Sequence, residues 1–410
     1  MTEDNMEQLT ARLKRTESNL EQLQAECRQL RNHVELAEKA LGEALAGAGE
    51  RKTEEIDDDT LEGNLIAYTE DWLEETMEDF HLSSEGKKKE ERVHELAGYL
   101  LMPANMREEL FWYSEEELDA LERLLEIGRS DPIAEDKENL DEFWNDIGYV
   151  TVYTDETYQV PSDVAQVYNY IRNTGYRNLH RQILWLRDCL ETFVRIYVAA
   201  PAKILHRMFR RETELRLGFK EFLKLLDEVP EDMNPCQIID GNVISKEYVS
   251  VCSFERFESL LFDGIEYYIP TKEEIQEYAK NGYPFRQRAY QELWSFANTD
   301  LKHSAKSASK LCATMWQAVF DTGFLQDIRH ISQDSMVNFP SEELAEKFSD
   351  IMKRVNANTR MPFLKGHTQS EMTGMGFLPM TGIYPVVTRN GRKVSVTLMD
   401  MREYHMAKPL

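Results

Sequence analysis

The sequence predicts a mainly α-helical, multi-domain protein. It reads as an N-terminal coiled-coil helix, a flexible acidic linker, a helical body with winged-helix-like helix-plus-hairpin units, and a C-terminal β-hairpin. Three observations carry this reading. Residues 6–44 hold a 3-4 alternation of side chains that is apolar at every seam position but Thr16. Helix-start signals recur along the body. Runs of β-branched and aromatic residues are short and sit beside two-residue turns. The 410 residues are 42% hydrophobic and 10% aromatic, enough to build packed cores. The boundaries read as 1–45 for the first helix and 46–62 for the linker. A helical unit ending in a hairpin follows at 63–165, a winged-helix-like unit with a basic surface at 166–250, and a helical C-terminal domain with a terminal hairpin at 251–410.

In the first helix, Met6, Leu13, Leu20, Cys27, Val34 and Leu41 occupy the a positions. Leu9, Thr16, Leu23, Leu30, Ala37 and Ala44 occupy the d positions. A 3.5-residue repeat keeps one apolar seam facing a partner helix. Arg12 with Glu17, Glu26 with Arg31, and His33 with Glu38 are complementary g-to-e pairs in a parallel arrangement. Each contributes roughly a few tenths of a kcal/mol, so they choose orientation more than they add affinity. The expectation is a parallel homodimer with Leu9, Leu13, Leu20, Leu23, Leu30 and Val34 as its seam. The alternative is an amphipathic helix folded back on its own domain. After Leu45, Ala46-Gly47-Ala48-Gly49 breaks the seam, and Glu54-Glu55-Ile56-Asp57-Asp58-Asp59 reads as a solvated acidic tether rather than a metal cluster.

The stretch 64–147 is mostly helical, with the capping box Ser114-Glu115-Glu116-Glu117 before Leu118, Leu121, Leu124 and Leu125. Tyr149–Thr154 and Thr157–Val160 flank Asp155-Glu156 as a hairpin, and Pro161-Ser162 opens the next helix. A similar order recurs: helices at 184–197, 202–210 and 214–226, then the hairpin Cys236–Ile239, Asp240-Gly241, Asn242–Ser245. Three helices before a hairpin is the plan of a winged helix. Further on, Glu266–Ile269 reads as a short strand, and the capping box Thr271-Lys272-Glu273-Glu274 starts a helix. Helices follow at 285–296, 304–320 and 341–355. Val386–Arg389 and Arg392–Leu398 flank Asn390-Gly391 as the last hairpin.

With 74 acidic against 48 basic residues, the net charge is -26, which opposes whole-chain attraction to nucleic acid or an anionic membrane. The segment 171–225 is the exception. It holds twelve basic and five acidic residues, a net +7, leaving -33 elsewhere. Lys203, Arg207, Arg210, Arg211 and Arg216 on one face would contact phosphates; otherwise the segment pairs with the acidic remainder or with a partner.

No basic n-region with an apolar h-region opens the sequence, and no apolar run reaches the roughly 20 residues that span a bilayer. The five cysteines are scattered without a C-x-x-C pair, which reads as reduced thiols in the cytoplasm. Phosphate loops, a zincin helix, a nucleophile elbow and metal-spaced Cys/His pairs are not found, so no catalytic residue, metal or cofactor is assigned. His303, His330 and His367 would need the fold to bring them together. Arg360 and His367, in the most motif-like stretch, are the best candidates for a functional polar pair. The alternative is a buried network that pins a loop onto the helices.

Tyr149 to Val160 before Pro161, the Ile238-Ile239-Asp240-Gly241 turn, Tyr267-Tyr268-Ile269-Pro270 with Thr271–Glu274, and Asn358-Thr359-Arg360 before Gly366–Glu371 stand in one order. Together they resemble a group of helical proteins of low-GC Gram-positive bacteria that often carry a C-terminal SEC-C zinc motif, over roughly residues 90–375. Gln369 stands where that group has proline, and no cysteine follows Cys312, so the zinc motif does not carry over. The resemblance implies a bacterial cytoplasmic setting and assigns no chemistry. The expectation is therefore a non-catalytic, dimeric regulatory or adaptor protein that docks another macromolecule. The partner is an unidentified protein or, alternatively, nucleic acid held by segment 171–225. An enzyme with a site near Arg360 and His367 ranks below both.

Overall fold

The computed structural model describes residues 59–247, 257–258, 261–320, 339 and 341–377, with the backbone alone of 248–249, 321–322, 383–387 and 393–397. The expected coiled-coil seam, most of the acidic linker, Cys27, Cys252 and His330 lie outside the described residues. What is described is mainly helical with small antiparallel sheets. It divides into two compact units at Tyr176/Arg177.

The first unit runs through α1 (Leu61–Leu65), α2 (Glu70–Asp79), α3 (Lys89–Leu100), α4 (Pro103–Glu109), α5 (Glu115–Ile127) and α6 (Ala134–Asp146). The strands β1 (Thr151–Val152) and β2 (Tyr158–Gln159) pair antiparallel, and α7 (Ser162–Arg172) follows. Thr60, Thr69 and Ser114 cap α1, α2 and α5 with their hydroxyls, and Glu117 completes the expected box on α5. Leu61, Leu65, Leu73, Leu96, Leu118 and Phe143 are buried. Polar side chains stitch this core to the hairpin: Asn64 Nδ2 donates to Gly148 O at 2.7 Å, and the Tyr149 hydroxyl donates to Leu100 O at 2.7 Å.

The second unit begins along α8 (Tyr176–Ile196) and continues with β3 (Ala199–Pro201), α9 (Ala202–Phe209), α10 (Phe219–Asp227), β4 (Cys236–Ile239), β5 (Asn242–Ser245) and α11 (Lys246–Val249). The sheet order is β3-β5-β4, antiparallel throughout. The helices α12 (Lys272–Asn281), α13 (Arg288–Ser295), α14 (Ala305–Thr322), α15 (Glu342–Asn358) and α16 (Gln369–Gly374) complete it. The last pair of strands is β6 (Ile383–Val387) with β7 (Lys393–Thr397). A five-residue π-helical turn, Phe296–Asp300, ends α13.

Three local expectations are corrected. The helix expected from Glu214 begins at Phe219, because Arg211 turns away to donate to the Ile269 and Pro270 carbonyls and Gly218 becomes the start, its N–H held by Glu221 at 2.9 Å. Glu266–Ile269 is extended but builds no ladder; Tyr268 N makes a single bond to Lys365 O at 3.0 Å. The strand β3 was not expected, since Ala-Ala-Pro lacks the branched residues that mark strands. It forms because Ala199 and Ala200 align with Ile244 and Val243.

Candidate functional site

Two constellations in the second unit hold the candidate residues. The first is centred on Arg360. Thr271 caps α12 and Thr368 caps α16, each with a glutamate at the third helical position closing a capping box. Those glutamates, Glu274 and Glu371, both hold the Arg360 guanidinium. Arg360 Nη2 and Nε donate to Glu274 Oε1 at 2.8 and 3.3 Å. Its Nη1 donates to Gly366 O at 3.0 Å and to Glu371 at 3.2 and 3.3 Å. The planar cation also lies 3.5 Å over the Tyr268 ring. Every nitrogen of the guanidinium thus already donates.

The Tyr268 hydroxyl donates to Glu274 Oε2 at 2.5 Å, and the Tyr197 hydroxyl donates to Tyr268 O. Burial alone would raise the Glu274 carboxyl, but Arg360 and the bonds it accepts hold it below the ordinary range. Burial likewise opposes the Arg360 charge, yet Glu274 first, then Tyr278 and Glu371, push its pKa above the usual arginine value. His367 is 9% exposed. Its Nε2 lies 3.0 Å from Glu266 O, a carbonyl, so that nitrogen is the donor; Nδ1 lies 3.4 Å from Glu371 Oε2. Arg360 and His367 thus both lie against Glu371, Arg360 by hydrogen bonds and His367 Nδ1 without one.

Beside this cluster lies a cleft of about 350 Å³ lined by Glu273, Glu274, Glu277, Arg286, Asn358 and Arg360 among others. Glu277 is buried and raised by that burial, and it accepts the Arg286 N–H. Among the described residues, no group of three or more His, Cys, Asp or Glu could hold a metal. The chemistry of this cluster is that of a clasp: it ties the loop 360–368 to α12, to α16 and to the segment before α12. His303 is held elsewhere by its backbone, its N–H donating to Ala297 O and its carbonyl accepting from Asn298 Nδ2, and the described thiols of Cys189, Cys236 and Cys312 are buried and outside any disulfide, their pKa values raised by burial.

The second constellation is the basic face. In α9, Ile204, Leu205, Met208 and Phe209 are buried, and the chain end of the helix is held by Trp185 Nε1 donating to Phe209 O at 2.7 Å. Lys203, Arg207 and Arg210, spaced four and three apart, fall on the opposite, exposed side. In α10, Phe222, Leu225 and Leu226 are buried while Lys220 and Lys224 are exposed; Arg216 is exposed in the connection. Among the described residues, Lys203, Arg207, Arg210, Arg216, Lys220 and Lys224 make no ion pair. Arg211, expected in this set, is exposed too, but its guanidinium donates to the Pro270 and Ile269 carbonyls before α12. Other basic residues of the segment do pair: Arg187 with Asp188 at 3.9 Å, and Arg195 with Glu191. Lys220 and Lys224 were outside the expected set, although their four-residue spacing on a helix was readable.

No family model, no curated protein and no solved structure matches this chain. No described helix is long and apolar enough to cross a membrane.

Proposed function

We propose that this chain is a non-catalytic regulatory protein, dimeric through its N-terminal coiled coil, that docks nucleic acid through a winged-helix unit at α8–β5. One observation carries the reading. A chain of net charge -26 exposes six cations, Lys203, Arg207, Lys220 and Lys224 on the packed helices α9 and α10 and Arg210 and Arg216 in the connection between them, without an ion-pair partner among the described residues. Leaving like charges clustered and unpaired works against folding unless something anionic meets them. The order helix, strand, helix, helix, hairpin with sheet order β3-β5-β4 supports the winged-helix plan. The engagement of every Arg360 nitrogen by Glu274, Glu371 and Gly366 O supports a structural role for the Arg360–His367 pair over a catalytic one. The resemblance to SEC-C-bearing bacterial proteins supports a cytoplasmic setting, and the β6–β7 pairing supports a terminal hairpin around Asn390-Gly391.

Docking on a protein is the second reading. It is favoured by the exposed side of α10, where Glu221 and Asp227 alternate with Lys220 and Lys224, a mixed-charge face suited to a protein surface. Retention of the full-length chain on immobilised duplex DNA or RNA at two salt concentrations tests the first reading. Retention lost at the higher salt is expected; no retention at either concentration rejects nucleic acid and leaves a protein partner.

A further inference from the structure

Resting on the winged-helix reading, we infer that the β4–β5 hairpin is an apolar wedge for duplex DNA. Ile238 and Ile239 enter a base step while Lys203 and Arg207 of α9, with Arg210 at its end, hold the neighbouring phosphates.

The shape of the hairpin comes first. Ile239 pairs with Asn242, so Asp240-Gly241 is a two-residue turn. Both turn residues have positive φ, 51° and 79°. That is the twist-matched geometry of tight hairpins, which Gly and Asp tolerate, and it fixes the tip rather than leaving it loose. Exposure comes second. Successive residues of a strand face opposite sides, so a strand with one face on a core buries every other side chain. In β4 only Cys236 is buried, while Gln237, Ile238 and Ile239 are all exposed. The two isoleucines are 43% and 38% exposed, so apolar side chains stand out on both faces near the tip.

Position comes third. Ala202 N donates to Gly241 O at 3.0 Å. The tip is therefore anchored at the first residue of α9, one residue before Lys203, and the stripe Lys203, Arg207, Arg210 runs on from there. An apolar tip next to unpaired cations fits a ligand that offers stacked apolar layers beside phosphates. Proteins that enter the minor groove insert Ile, Leu or Phe between base steps in this way. Single strands are instead held on aromatic platforms. Among the described side chains of 177–249 no aromatic ring is exposed: Trp185, Phe209 and Phe222 are buried and Phe219 is half-buried. Asp240, at the tip itself, opposes phosphate, and asparagine would keep its left-handed turn without the charge.

The test uses the full-length chain with a fluorescein-labelled duplex, the same strand unpaired, and a duplex carrying 2-aminopurine. Ile238→Ser with Ile239→Ser is expected to weaken duplex affinity about tenfold, to leave the salt slope unchanged, and to abolish a rise in 2-aminopurine fluorescence seen with the native chain. Asp240→Asn is expected to tighten binding. Lys203→Ala, Arg207→Ala and Arg210→Ala together are expected to lower the slope by about 0.9 for each phosphate contact removed. Salt-sensitive duplex binding that the isoleucine variant leaves intact, with no change in 2-aminopurine, overturns the wedge while the phosphate reading stands. No salt-sensitive binding by the native chain overturns both. Melting curves of each variant report whether it folds.

Discussion

Arg360 and Glu274, 86 residues apart in sequence, are joined edge to edge, with Nη2 2.8 Å and Nε 3.3 Å from the same carboxylate oxygen. Glu274 is also the residue that completes the start of α12. One ion pair therefore fixes a helix terminus and a distant loop together. With Glu371 doing the same for α16, a single guanidinium sets two helix starts.

Removing that guanidinium strands two carboxylates around a side chain only 10% exposed. Arg360→Met is expected to lower stability by about 3 kcal/mol. Arg360→Lys keeps the charge but not the fork and falls between. Urea unfolding of both variants, with Glu274→Gln for a double-mutant cycle, measures the coupling. A change near zero for Arg360→Met would mean that the clasp contributes nothing.

Gly366 sits at φ 82°, and a Cβ there would lie 2.6 Å from Tyr197 Cε1 and 2.8 Å from Ile196 Cγ2. Both strain and overlap oppose any side chain. Gly366→Ala is expected to cost about 2–4 kcal/mol, read as a lowered melting temperature. A melting temperature equal to the native one would show that the loop moves freely off α8.

Burial raises the Asp188 carboxyl to about 6, with Arg187 only partly opposing and Glu191 adding to it. The folded state therefore holds a proton that the unfolded state, with its ordinary value near 4, has already lost. Stability contributed by Asp188 is present at low pH and declines as pH rises from about 4 to about 6. Asp188→Asn is expected to be more stable than the native chain by about 1–2 kcal/mol at pH 7, the gain vanishing near pH 4. Melting temperatures across that range decide it; a difference independent of pH would show that the carboxyl is not the cause.

The seam Leu9, Leu13, Leu20, Leu23, Leu30, Val34 predicts a dimer in solution. Leu20→Lys with Leu23→Lys places charge in the seam and is expected to give a monomer by sedimentation equilibrium. A native chain that sediments as a monomer at every concentration contradicts the dimer.

Local signals were the legible part of the sequence. The Thr271–Glu274 and Ser114–Glu117 boxes and the Asp240-Gly241 turn each depend on residues within a few positions of one another, and they stand where the residues said. The pairing of those local pieces was not legible. Glu274 reads as a cap, and nothing near it announces Arg360. The Glu266–Ile269 run has strand-forming side chains, but it meets the 365–367 loop through one backbone bond rather than a ladder, so composition misled there. Ala199–Pro201 is the reverse: poor strand formers drawn into a sheet by β5. In the basic segment, charge was countable, but the engagement of the Arg211 guanidinium by the distant carbonyls of Ile269 and Pro270 was not.

Titration of the full-length chain with duplex DNA across a salt series is the most direct measurement of whether the free cations of α9 and α10 meet phosphate. The logarithm of affinity is predicted to fall linearly with the logarithm of salt, by about 0.9 for each phosphate contacted, and the slope is predicted to flatten when Lys203, Arg207 and Arg210 become alanine. Binding indifferent to salt, or a slope that the three alanines leave unchanged, would contradict it.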